Sequence, residues 1–306
     1  MSTARPEQTL VVGATGILGG VVARQLRAAG QAVRALVRQS ADPARRRELL
    51  GWDAEVVEAD LKDRRSLDAL CAGVGVVVST ASTTLSRQAG DDIESVDGQG
   101  QLSLVEAAEA AGVRHFVFVS VAPASPDHPL QRAKRAVEEK LQQSAMSWTI
   151  LRPLNFIETW LSPDFGFDPV QGRARVLGDG DQPISWVSLH DVARFAVAAT
   201  SCSQLERQTL LLGGPDALSY HQVLQIFAEL GAPPVELEYL PEVALAARLE
   251  SARTDLEASY AALLLSTARG LSVDPAAALE LLPGRLRTVR EYAQRLLDAP
   301  KTNKGE

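Results

Sequence analysis

The stretch Gly13-Ala14-Thr15-Gly16-Ile17-Leu18-Gly19, entered through the apolar run Thr9-Leu10-Val11-Val12, decides the reading of this chain. A β-branched run that ends on glycine and passes into a helical pattern reads as strand, tight turn and helix. The helical pattern covers residues 20–29, with Val21, Val22, Leu26 and Ala29 on its apolar side. In that setting Gly13 permits the turn, Gly16 lets the backbone approach a pyrophosphate, and Gly19 lets the helix pack closely on the sheet. Thr15, Ile17 and Leu18 complete the loop at a helix N-terminus, where N–H groups and the dipole favour an anion. The loop is read as a dinucleotide-binding turn, with an ordinary structural turn as the plain alternative.

Working outward, short apolar runs alternate with helical patterns. Strands are expected at 32–37, 54–58, 74–79, 115–120 and 147–152, and helices at 65–70, 98–111 and 130–144. That alternation means βαβ units and a mostly parallel sheet. The character changes after Pro153. Proline and glycine loops fill 161–183 around a short strand at 173–177, and a helix at 191–200 is assigned Asp191 as its cap, with His190 beside it. A strand at 208–212 is expected to rejoin the sheet, followed by a helix at 220–230 capped by Ser219. Residues 241–269 read as one long helix with Leu245, Leu249, Leu256 and Leu263 in a stripe. Asp274-Pro275 begins another helix, and Thr288 with Glu291 forms a capping box for the last one. The polar tail 301–306 is expected to fray.

The expected fold is therefore α/β: a Rossmann-type doubly wound parallel sheet with a smaller, mostly helical substrate-binding part. Residues 1–153 form the nucleotide-binding domain and 154–306 the smaller region, with about 184–213 returning to the main sheet.

Composition narrows the function. Among 306 residues, 46% are hydrophobic, enough for a sizeable core. A net charge of -7, from 31 basic and 38 acidic side chains, argues against a dedicated nucleic-acid binder. Aromatic residues at 5% do not suit a base-stacking platform. No uncharged apolar segment of about 18 residues is present to span a membrane. The N-terminus does not read as a signal peptide. Cys71 and Cys202 cannot make a disulfide framework, so a reducing, cytoplasmic setting is expected. Four scattered histidines and these two cysteines show no ligand spacing, so no metal is expected.

Candidate site residues follow from the ends of parallel strands, where open α/β sheets bind ligands. Arg38, after the second strand, would pair with a 2′-phosphate, with Arg34 sharing the role, which selects NADP(H) over NAD(H). Asp60, followed by Leu61, either meets the adenine amino group or caps the next turn. Ser79, Thr80 and Ala81 follow the fourth strand, near the adenine-side ribose and phosphates. Ser120, Val121 and Ala122 follow the fifth, near the nicotinamide ribose. Pro153, Asn155 and Phe156 follow the sixth and should line the pocket beside nicotinamide, with Asn155 placed to orient a substrate. Trp160, Phe165 and Phe167 suit an apolar lid and Trp186 the opposite wall. Glu158 and Asp164 stand at the expected pocket edge without a role.

Together these pieces resemble the short-chain dehydrogenase/reductase superfamily, in its atypical NmrA-like branch. The marks are GATGILGG at 13–20, the arginine after strand two, EADLKD at 58–63, HFVFVS at 115–120, KRAVEEKLQQSAMSWTILRP at 134–153 and ISWVSLHDVARF at 184–195. The resemblance implies either an NAD(P)H-dependent reductase of quinones and phenolic compounds or a cofactor-binding regulator without catalysis. Standard members of the superfamily carry a tyrosine four residues before a lysine, with a serine upstream; the tyrosine moves the proton and the lysine holds the ribose. Lys134 matches that lysine and Ser120 loosely matches the serine. Leu130 stands at the tyrosine position and cannot transfer a proton. His128 is the substitute acid the sequence offers, since histidine exchanges protons near neutral pH.

Two functions are expected to compete. The first is NADP(H)-dependent reduction of a small apolar quinone, enone or carbonyl compound. The second is a non-catalytic NADP(H)-binding redox sensor that presents its helical C-terminal part to a regulatory partner. Residues 241–269 would either cover the sheet or join two subunits as a homodimer.

Overall fold

The computed structural model describes residues 8–84 and 88–299; the tail expected to fray lies outside them. The chain opens with β1 (Gln8–Val12), α1 (Ile17–Ala28), β2 (Ala32–Val37), α2 (Pro43–Gly51), β3 (Glu55–Glu58), α3 (Arg64–Cys71) and β4 (Val74–Ser79). A π-helix at Ile93–Gly100 leads directly into α4 (Gln101–Ala110), then β5 (His115–Val119), α5 (Pro129–Gln143) and β6 (Ser147–Pro153). Much later, β10 (Gln208–Leu212) returns to pair with β6. The resulting seven-stranded sheet runs β10-β6-β5-β4-β1-β2-β3, and every pairing in it is parallel.

Strand residues here are apolar on both faces because both faces are covered. Val11, Ala35, Val78 and Val117 point into one layer with Val22, Ala23 and Leu26 of α1 and with Val192, Phe195 and Ala196 of α7 (Leu189–Ala199). Leu10, Val12, Val77, Phe116 and Phe118 point into the other, against Leu67 and Leu70 of α3, Leu104 and Val105 of α4, and Val137 and Leu141 of α5. The strand order reverses between β1 and β4, which opens a crevice at their C-terminal ends.

The remaining elements make a third cluster. They are α6 (Ile157–Trp160), β7 (Phe167–Asp168), β8 (Arg173–Leu177), β9 (Ile184–Ser185), β11 (Ala217–Leu218), α8 (Tyr220–Glu229) and β12 (Glu236–Leu240), followed by α9 (Glu242–Glu250), α10 (Asp255–Ala268) and α12 (Val289–Asp298), while α11 (Ala276–Leu281) joins the first layer through Ala278. A small sheet β12-β8-β7 and a two-stranded β11-β9 pair hold it. Its centre is Phe167, Trp186, Tyr220, Val223, Phe227, Leu245 and Leu265.

Four local expectations change. The helix expected at 98–111 begins earlier and differently, as a π-helix over Ile93–Gly100 that starts at a capping box of Asp92 and Ser95 and passes into α4. The single helix expected at 241–269 is two, because Ser251–Thr254 turns the chain and Thr254 Oγ1 accepts from the Glu257 N–H at 3.1 Å to cap α10. The turn resets the helical phase, so Ala261, Ala262, Leu265 and Ala268 are buried instead of the predicted leucine stripe, of which Leu245 alone is fully buried. The cap of α7 is Ser188, whose hydroxyl accepts from His190 N–H at 3.2 Å, while Asp191 accepts from the Arg287 N–H at 2.8 Å. Arg34 points away from the crevice: it donates to the Leu70 and Ala72 carbonyls at 2.8 Å and pairs with Glu55 at 3.1 Å.

Candidate functional site

One cavity of about 560 Å³ runs along the crevice. Its floor begins at the glycine loop. Gly13, at φ +88°, adopts a conformation that disfavours any side chain, and a Cβ there would lie 2.7 Å from Thr80 Oγ1. A Cβ on Gly19 would lie 2.1 Å from the Gly13 carbonyl oxygen, so helix and loop touch only because neither residue has a side chain. The N-cap of α1 is Gly16 itself, with no side-chain cap and no acid in the first turn. Thr15, Gly16, Ile17, Leu18 and Gly19 all face the cavity. A backbone-walled cradle at a helix N-terminus fits a dinucleotide diphosphate.

Beside the loop lie Leu36, Arg38, Asp60, Leu61, Thr80 and Ala81. Arg38 Nη1 donates to Asp91 Oδ2 at 2.5 Å, and Lys62 Nζ donates to Asp91 Oδ1 at 2.7 Å. That bond holds the Lys62 pKa above its ordinary value. Asp60 both lines the cavity and closes a turn, its Oδ1 accepting from the Lys62 N–H at 2.9 Å. Ser79 stays out of the cavity: it is fully buried and donates to Gln101 Oε1 at 2.9 Å, because the last β4 side chain turns into the sheet-helix layer.

At the middle of the cavity stand Ser120, Val121, Ala122, Leu130, Lys134, Pro153, Asn155 and Phe156. Lys134 is buried, not solvated. Its Nζ lies 3.2 Å from Asp97 Oδ1, 3.4 Å from the Val119 carbonyl and 5.1 Å from the centre of the Phe118 ring. Asp97 is carried by the π-helix and accepts at Oδ2 from Thr83 through its N–H at 2.9 Å and its hydroxyl at 2.6 Å. Arg135 braces the end of β5, donating to Ser120 Oγ at 3.1 Å and to the Val121 carbonyl at 2.9 Å. Asn155 Nδ2 donates to Thr267 Oγ1 at 2.9 Å.

His128 is not placed to serve as an acid. It is the N-cap of α5, accepting at Nδ1 from the Gln131 N–H at 3.3 Å, and is absent from the cavity wall. Burial pushes its pKa down to about 4, so it is neutral near pH 7. Its Nδ1 lone pair is spent on the helix start, since α5 begins at Pro129 and not at the expected 130.

The far end is apolar. Trp160 and Phe165 face the cavity with ring centres 5.5 Å apart. Two other predicted wall residues are core. Phe167 packs against Tyr220 and Phe227, and Trp186 is 1% exposed, donates from Nε1 to the Leu218 carbonyl at 2.9 Å and meets Tyr220 edge-on. Strand alternation turns both rings into the third cluster. Glu158 is also structural, accepting from Ser188 Oγ and the Leu189 N–H at 2.6 and 2.9 Å.

The roof comes from α10, part of the 241–269 stretch expected to cover the sheet or to join two subunits. Tyr260, Leu263, Ser266 and Thr267 face the cavity, with Leu271 beyond the helix. The Tyr260 hydroxyl donates to the Thr84 carbonyl. Its neighbour Ser259 accepts from the Leu130 N–H at 3.0 Å, pinning α10 to the start of α5. The polar residues recurring at 259, 260, 266 and 267, on a helix that is otherwise apolar after its first turn, are the signal that could have found it. Among the described residues no His/Cys/Asp/Glu group could hold a metal ion, and no helix is long and apolar enough to cross a membrane.

The chain as a whole is similar to known proteins. A photosystem II assembly factor Ycf39 from Trieres chinensis is 27% identical over 234 residues, covering 76% of this chain and 72% of that protein. A (4-alkanoyl-5-oxo-2,5-dihydrofuran-3-yl)methyl phosphate reductase from Streptomyces griseus is 34% identical over 255 residues, covering 82% and 81%. Among solved structures, an NADPH-dependent quinone oxidoreductase from Escherichia coli superposes with a TM-score of 0.74 at 23% identity, covering 95% of this chain and all of that one, a likeness of fold. The model of the NmrA-like family matches residues 6–293, and with that span the chain belongs to the NmrA-like family of the short-chain dehydrogenase/reductase superfamily.

Proposed function

We propose that this chain is an NADPH-dependent reductase of a small, apolar, electron-poor substrate, a quinone, an enone or another carbonyl compound. The observation that carries the reading is the continuity of one cavity from the glycine cradle, past buried Lys134, to the Trp160–Phe165 wall. A bound nicotinamide cofactor would supply the hydride. The loop 13–19 would hold the diphosphate through its backbone, and Arg38 would meet a 2′-phosphate. Lys134, its position set by Asp97, offers N–H donors to ribose hydroxyls or to an electron-rich substrate oxygen. Phe156, Trp160, Phe165, Leu263 and Leu271 exclude water and pack a flat ligand.

Leu130 gives no proton, and His128 is spent on a helix cap. Substrates that ask little of a protein acid are therefore favoured: quinones and activated alkenes, whose reduced oxygen or carbon takes its proton from water. The compound named for the Streptomyces relative, a dihydrofuran bearing oxo and alkanoyl groups and a methyl phosphate, has an electron-poor ring of this kind beside a charged group that an apolar substrate lacks. We also place the chain in a reducing compartment such as the cytoplasm. Both cysteines are free, and burial pushes the Cys71 thiol up to about 11.

A second reading is a non-catalytic NADP(H)-binding protein that acts on a partner. Leu130 at the tyrosine position favours it, as does the relative named as an assembly factor. NADPH consumption with a panel of quinones and enones, beside NADPH binding, separates the two. Turnover supports the reductase. Tight binding without turnover of any substrate leaves the second reading, and no binding removes both.

A further inference from the structure

We propose that Asp91 sets the coenzyme choice of this cavity, tempering the preference for NADPH so that NADH is accepted as well. The inference rests on the dinucleotide reading above and deepens it. Among the described residues Arg38 and Asp91 line the adenosine end together, and the Asp91 carboxylate bridges Arg38 at 2.5 Å to Lys62 behind it at 2.7 Å. The Asp91 side chain is 2% exposed, whereas Arg38 and Lys62 are 29% and 32% exposed, so the carboxylate is enclosed and its cations reach solvent.

The carboxylate is also held in place from both sides of its own chain. Gln88 Nε2 donates to the Ser40 carbonyl at 3.5 Å, just beyond the end of β2. Lys62 Nζ reaches the Gly90 carbonyl at 3.4 Å. Asp92, next in sequence, accepts from the Ser95 N–H at 2.7 Å and caps the π-helix.

The chemistry then works in two directions. A carboxylate beside an adenosine ribose accepts from the 2′-hydroxyl, the interaction that selects NAD(H). A 2′-phosphate in the same place gains Arg38 but meets the negative charge of Asp91 and must share that cation with it. Arg38 by itself would select NADPH strongly. Arg38 paired with Asp91 gives a site in which each coenzyme finds a partner.

The test is direct titration of the full chain with NADPH and with NADH, followed by fluorescence. The wild-type dissociation constants should lie within about tenfold of each other. Asp91→Asn should tighten NADPH by about tenfold and weaken NADH, and Asp91→Ser should do the same without an amide in that place. A wild-type preference for NADPH above about a hundredfold overturns the proposal without any variant. So does an unchanged NADPH-to-NADH ratio in either folded variant, and in that case the dinucleotide reading survives. If wild type binds neither coenzyme, both fall.

Discussion

At the nucleotide end of the cavity the walls are backbone drawn from neighbouring residues; at the substrate end they are side chains brought from far apart in the chain. Gly13, Gly16 and Gly19 lie within one turn and one helix start, with clearances that exclude even a methyl group at Gly13 and Gly19 and crowd one at Gly16. Lys134 instead meets Asp97 of the π-helix, Leu130 meets Ser259 of α10, and Asn155 meets Thr267 of α10. The first end depends on what is missing from three residues. The second depends on long-range packing that keeps polar groups satisfied inside an apolar enclosure.

The largest effect is expected from breaking the buried pair. Asp97→Ala leaves Lys134 without its counter-charge and should cost about 3–5 kcal/mol in urea unfolding. Adding Lys134→Met should recover much of that loss. If the double variant is no more stable than the single, the pair is not coupled as described. Gly19→Ala strikes the other end. It should weaken NADPH binding about a hundredfold, or about 2.7 kcal/mol, by forcing helix and loop apart. Unaltered affinity would show that the loop yields, and that the backbone wall is softer than its spacing implies.

Trp160→Ala should raise the KM of an apolar substrate about tenfold, roughly 1.4 kcal/mol, while NADPH binding stays unchanged, which would separate the two ends functionally. A comparable loss of NADPH affinity would merge them. The smallest effect concerns His128. Its folded pKa of about 4 lies below the ordinary 6.5, so the unfolded chain takes up the proton first on acidification. Stability from this group is complete above about pH 6.5 and is lost as pH falls toward 4. His128→Asn should keep the cap and flatten that pH dependence, whereas His128→Ala should cost about 1 kcal/mol at neutral pH. Equal slopes in Asn variant and wild type would remove His128 from the account.

Legibility followed the same division. β1, the glycine loop and α1 were readable because strand, turn and helix signals sit side by side and the glycines' steric role is local. The strand ends at Ala81, Ser120 and Pro153 were readable for a related reason: parallel topology sends all C-terminal ends to one edge. Trp186 and Phe167 were misplaced because an aromatic residue in a loop-rich stretch carries no mark of which side it faces. His128 was misjudged because capping depends on the backbone around it. Asp97, Asp91 and Tyr260 were overlooked because each gains its role only from a partner distant in sequence. The break at Ser251–Thr254 went unseen for want of a proline or glycine there.

By itself, the sequence determined a doubly wound parallel sheet with a backbone cradle for a dinucleotide, since apolar periodicity and glycine sterics act over a few residues. Tertiary structure decided which charges meet. Arg38 and Lys62 share Asp91, Lys134 shares a buried site with Asp97, and α10 roofs the cavity. Those pairings arise from the packing of whole elements, because a charge removed from water must find its counterpart wherever the fold brings one.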